Sequence, residues 1–175
     1  MKKSIRLIAV LGLILAGAVC AAGAPANLQQ IMIGNVNPNG LALWDVTNKA
    51  MDENGKVSAK KLTEENWKNL LGIGLQLEEG GRALATSDGV IAASPGSKLQ
   101  DEGNQGASTA QDVQRFIDAK SAEFRRHALA LQKTGGDIVT AVKKHDAKKL
   151  DALSGSLDAV CEACHTAFWY PQLKK

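Results

Sequence analysis

Apolar residues recur at intervals of three and four along most of the chain, the spacing that lines one face of an α-helix. No stretch alternates as a half-buried strand would, and no hairpin signal separates β-branched runs. The first periodic segment predicts a helix from Leu28 to Met51, with Ile31, Met32, Val36, Leu43 and Val46 on its apolar side. Pro38 interrupts it. The ring lacks an N–H and presses on the carbonyl of Gly34, so the helix either kinks or restarts with Asn37 as cap and Pro38 at its first position. After a polar connection at 56–61, Thr63 reads as an N-cap, and Glu64 and Glu65 suit the positive end of a second helix running to Ala85. Trp67, Leu70, Leu71, Leu75 and Leu77 are its predicted inner face. Gly72 and Gly74 are costly inside a helix and fit either a close neighbour or a merely tolerant element.

Residues 87–107 are rich in Gly, Ser, Ala and Asn with Pro95 in the middle. They predict a long loop with one short turn near 97–100, and loops of that length are often functional. Ser108 and Gln111 read as a capping box for a third helix running to Lys144. Val113, Phe116, Ile117, Phe124, His127, Ala128, Leu131, Ile138 and Val142 mark its inner side, and Gly135-Gly136 reads as a break or bend. Asp146 caps a fourth helix from Ala147 to Trp169, which Pro171 ends. The fold class expected is all-α, an antiparallel four-helix bundle.

The first 24 residues stand apart. Lys2, Lys3 and Arg6 precede an apolar run from Leu7 to Val19 and mostly small residues from Cys20 to Ala26, the layout of a secretory signal peptide. Residues 25–175 then form one domain, expected in the periplasm and without a membrane span. Cys20 reads as part of the discarded peptide, with a lipid anchor as the lesser alternative. The chain holds 21 Lys+Arg and 18 Asp+Glu, and removing Lys2, Lys3 and Arg6 leaves 18 against 18. A balanced mature chain offers no reason to expect a nucleic-acid or anionic-membrane partner.

Candidate chemistry sits in the last predicted helix, as Cys161-Glu162-Ala163-Cys164-His165. Cys-x-x-Cys-His is the attachment pattern of haem c. Residues three and four apart share a helix face, so two thiols at this spacing can bond the two vinyl groups of one porphyrin while His165 reaches the iron as proximal ligand. Leu153, Leu157, Val160 and Phe168 lie on or beside the same stripe. The cofactor expected is one covalently attached haem c on Cys161 and Cys164. A thiol–disulfide redox motif would open a helix near a βαβ pattern, which is not visible. Zinc would have only His127 and His145 to complete its ligand set. The carboxylates are scattered on polar faces, and no enzyme is expected.

The order signal peptide, helices, then Cys161-x-x-Cys164-His165 near the C-terminus resembles class II c-type cytochromes, the family of cytochrome c′ and cytochromes c-556. Val36-Asn37-Pro38 leading to Leu43-Trp44, and Phe168-Trp169-Tyr170-Pro171, are further matches. The resemblance implies a four-helix bundle and a periplasmic single-haem electron carrier meeting redox partner proteins. It implies Met32, in the opening turns of the first helix, as distal ligand. An apolar sixth position would instead leave a five-coordinate haem open to small gases such as NO or CO, and a haem-free thiol-redox or metal-binding module is the reading from another class. Homodimers through the first two helices also occur in the family. Many members carry Arg or Lys near a haem propionate just after the aromatic that follows the motif. Trp169 stands there in this chain, and its indole N–H is a candidate donor.

Overall fold

The computed structural model describes residues 25–171. The signal-peptide reading of residues 1–24 and the last four residues lie outside the described residues. The chain opens with β1 (Ala26–Asn27) and continues helically through α1 (Leu28–Ile31), a π-helical turn (Met32–Val36) and α2 (Asn37–Lys49). After a short 3-10 turn come α3 (Glu64–Thr86), β2 (Val90–Ile91), α4 (Ala110–Ala119), α5 (Ser121–Lys143) and α6 (Ala147–Phe168).

Pro38 sits in the first turn of α2, as the restart reading expects, but Asn37 is no N-cap: the chain enters α2 from a π turn. The π turn lets the Asn37 N–H donate to the Met32 carbonyl, and Val36 and Asn37 keep right-handed helical dihedrals. The widened turn absorbs one residue just ahead of the proline, where the ring would otherwise strain the regular ladder.

The expected four-helix bundle is corrected. α1, the π turn and α2 count as one rod, and the described residues then form five rods, because the predicted third helix divides at Lys120. Lys120 leaves helical geometry (φ −134°, ψ 40°). The break frees α4 to turn Val113 and Ile117 into a cluster with Leu84, Phe124, Ala128 and Phe168. The capping box is one residue later than expected: the Thr109 side chain accepts from the Asp112 N–H, and Asp112 Oδ2 accepts from the Thr109 N–H at 3.1 Å.

α3 packs along α5, α5 along α6, and α2 against α3 and α6. The crossing of α3 and α5 is glycine-made. A Cβ on Gly81 would meet the Gln132 nitrogen at 2.3 Å, and one on Gly135 the Glu78 nitrogen at 2.3 Å. Gly135 therefore closes an interface and does not break its helix. Gly72, on the outer side, has nothing within 4 Å. The main core surrounds this crossing, with Leu43, Leu70, Leu77, Ile138, Leu150 and Leu157 fully buried. Leu75 is 47 % exposed, and Ile73 takes the inner place expected of it.

Two short strands, unforeseen from the sequence, join in parallel, Ala26 opposite Val90 and Asn27 opposite Ile91. Their hydrogen bonds lash the 87–107 loop to the start of α1. The Asn27 side chain donates to Ser94 Oγ at 3.0 Å, the Gln29 side chain to the Lys98 carbonyl at 2.6 Å, and the Gln29 N–H to the Ala92 carbonyl at 3.0 Å.

Candidate functional site

α6 begins at Asp146, whose carboxylate accepts the Lys149 N–H, and runs unbroken to Phe168. The regular ladder keeps Leu157, Cys161, Cys164, His165 and Phe168 on one stripe. That stripe is one wall of a cavity of about 410 Å3. Leu28, Met32 and Val36 form the facing wall, Phe124, His127, Ala128 and Leu131 of α5 a third, and Gly40 and Trp44 of α2 close one side. Ala92 and Leu99 of the lashed loop cover another. The volume lies within the roughly 300–1,000 Å3 of ordinary cofactor sites.

The structure thus brings Met32 to the same cavity as Cys161, Cys164 and His165. His127 lies on the cavity wall, half-buried, with its ring edge-on to Phe168 at 5.9 Å. His145 is elsewhere, in the turn between α5 and α6, with its ring 4.8 Å from Trp67.

Burial governs the titrating groups here. It pushes the Cys161 thiol up to about 11, with the nearby Asp158 charge adding to the effect. It pushes Cys164 up to about 12, with Cys161 as the lesser cause. Both cysteines are free thiols. Burial lowers His165 from its ordinary value, against a smaller pull from Glu162. A neutral imidazole is the form that ligates metal. At the rim of the cleft, the Tyr170 hydroxyl donates to Glu162 Oε2 at 2.7 Å, and Thr166 Oγ1 donates to Glu162 Oε1 at 2.9 Å. Those bonds, Tyr170 first, hold Glu162 below the usual carboxylate range.

Several functional expectations are corrected. The haem-free thiol-redox reading needs an acidic, accessible cysteine, whereas burial drives both thiols the other way. The metal-module reading finds no group of three or more His, Cys, Asp or Glu suited to a metal ion among the described residues. The periplasmic electron carrier with His165 and Met32 as axial ligands, and its five-coordinate NO- or CO-binding alternative, rested on a four-helix cytochrome. The described chain has five rods, and Met32 opens a π turn instead of sitting in a regular α-helix. Both roles are withdrawn with that architecture, and with them the haem-and-bundle vocabulary they brought as a description of the fold.

Sequence reasoning missed the covering role of Ala92 and Leu99. The length of their loop was the one available signal. Among the described residues no helix is long and apolar enough to cross a membrane. Comparison of the chain with family models, with curated proteins and with solved structures returned no match.

Proposed function

We propose that this chain is a haem-binding protein that carries one haem c, attached through Cys161 and Cys164 with His165 as iron ligand. The observation that carries the proposal is the cavity itself: a partly open, largely apolar cleft onto which both thiols and the imidazole open from one helix face. Three reactive groups at Cys-x-x-Cys-His spacing have little reason to share a dry wall otherwise. The likeness of the motif and its position to class II c-type cytochromes supports the proposal without the four-helix count.

Each residue has a defined task. Cys161 and Cys164 would each add S–H across one vinyl group, a net addition with no leaving group and no change in oxidation state. His165 presents a neutral nitrogen, kept so by burial. Leu157, Phe168, Phe124 and Leu131 exclude water from the faces of the ring. The lashed loop closes the side that the helices leave open. When bound, the haem would supply an iron centre, held by His165 and by the two thioether links at Cys161 and Cys164. The same proposal has residues 1–24 export the chain to the periplasm, where such attachment takes place.

The test is the intact mass of the exported protein made alongside a haem-attachment system. A mass increase of one haem that survives denaturation is expected, and Cys161→Ala with Cys164→Ala should abolish it. An unaltered protein with the mass of the bare polypeptide would overturn the proposal.

A further inference from the structure

A haem brings a pair of carboxylates, yet among the described residues no lysine or arginine lines the cleft. The acidic residues on its wall, Asp158 and Glu162, are carboxylates themselves and offer those of the haem nothing. Hydrogen-bond donors must serve instead. Two of the side-chain nitrogens around the cleft are already engaged. The Gln29 amide is bound to the Lys98 carbonyl at 2.6 Å, and Trp44 Nε1 to the Ser154 carbonyl at 3.1 Å. Asn37 and Gln100 are exposed to water, and His165 is assigned to the iron.

Two rings are left, those of His127 and Trp169, and both line the cleft. His127 stands edge-on to Phe168 at 5.9 Å, and the next residue, Trp169, stands edge-on to His165 at 4.9 Å. Trp169 Nε1 is buried without a hydrogen-bond partner, one of two such side-chain atoms among the described residues. A buried donor left unmade is costly, and the group that fills the cleft is the natural source of its acceptor. The backbone on either side is fixed: the Trp169 N–H donates to the His165 carbonyl at 2.8 Å, and the Trp169 carbonyl accepts from Ser108 at 3.2 Å.

We propose that His127 and Trp169 form the carboxylate-recognising end of the cleft, each donating a ring N–H to a haem propionate; the proposal rests on the haem reading above. Carboxylate recognition here runs through ring N–H donors in place of a lysine or arginine.

The experiment uses the full-length, haem-loaded protein and reads the propionate bending band by resonance Raman, with intact mass measured on every sample. His127→Leu and Trp169→Phe should each shift the band, Trp67→Phe, outside the cleft, should leave it in place, and Trp169→His should move it back toward its original position. Band positions unchanged in both cleft variants, with the haem mass present, would overturn the proposal. A shift in one variant alone keeps that residue and removes the other. Should Trp169→Phe lose its haem, His127→Leu and Trp169→His still decide the matter. An unaltered protein of bare polypeptide mass would instead sink the haem reading, a distinguishable result.

Discussion

Two helix interfaces of this molecule are built from opposite materials. Where α3 crosses α5, Gly81 and Gly135 let backbone meet backbone, leaving no room even for a methyl group. Where α6 faces α1 and the π turn, cysteines, a histidine and larger apolar side chains stand back around about 410 Å3 of space. The first interface is a fixed hinge-pin: its closeness is set by residues that have nothing to rotate. The second stays open because the neighbouring crossing carries the packing. Interiors normally reach the density of organic crystals, and a cleft of this size beside so tight a contact is the space that the proposed haem calls for.

That contrast can be broken from either side. The largest effect is expected at the thiols of the haem-free chain. With Cys161 at about 11 and Cys164 at about 12, alkylation at neutral to mildly alkaline pH should run slower than for an exposed cysteine by on the order of a hundredfold. Labelling rates followed against pH check this, and rates like those of an exposed thiol would mean the cleft is wet. The same shifts have a signed consequence. The folded thiols hold their protons above the ordinary value of 9.0, so their contribution to stability is intact below pH 9 and lost as pH rises through about 11. Melting temperature should fall across that window, and less steeply in Cys161→Ala with Cys164→Ala.

Next in size is the glycine crossing. Gly81→Ala or Gly135→Ala forces a methyl into backbone, at a cost of about 3 kcal/mol that outweighs the alanine helix preference. In a domain of this size that is a drop of roughly 6–12 °C in Tm. Gly72→Ala, with nothing within 4 Å, should do the reverse and add roughly 0.5–1 kcal/mol. Between them lies Thr109→Ala, which removes the cap that starts α4 and should cost about 1 kcal/mol. Calorimetry or chemical denaturation measures all four variants, and equal effects at Gly72 and Gly81 would erase the distinction between packed and open faces.

Much of the open interface was legible from spacing alone. Leu157, Cys161, Cys164, His165 and Phe168 share a stripe in any regular helix, and their common wall follows from 3.6 residues per turn. The closed interface was not legible in the same way. Gly72 and Gly74 drew notice as helix glycines, and Gly74 does face α5, where a Cβ would meet Val139 Cγ2 at 3.0 Å; Gly81 and Gly135 make the tighter approach and Gly72 meets nothing, because which glycine meets a neighbour depends on where two rods touch. Leu75 and Ile73 exchanged places for the same reason. The division at Lys120 had no glycine or proline to announce it; it follows from where Val113 and Ile117 find company, a tertiary matter. Pairing of Ala26 with Val90 is likewise a contact across distance in sequence that no local pattern encodes.

The π turn at Met32–Val36 holds one residue more than a regular ladder requires. Take that residue out, and the helix upstream would rotate by roughly 100° relative to α2. Leu28 and the Met32 turn would swing off the cavity while Leu43 stayed in the core. The surplus residue is thus a phase adjuster: it lets one continuous rod turn Leu28 and Met32 to the cavity and still seat Leu43 in the core further along.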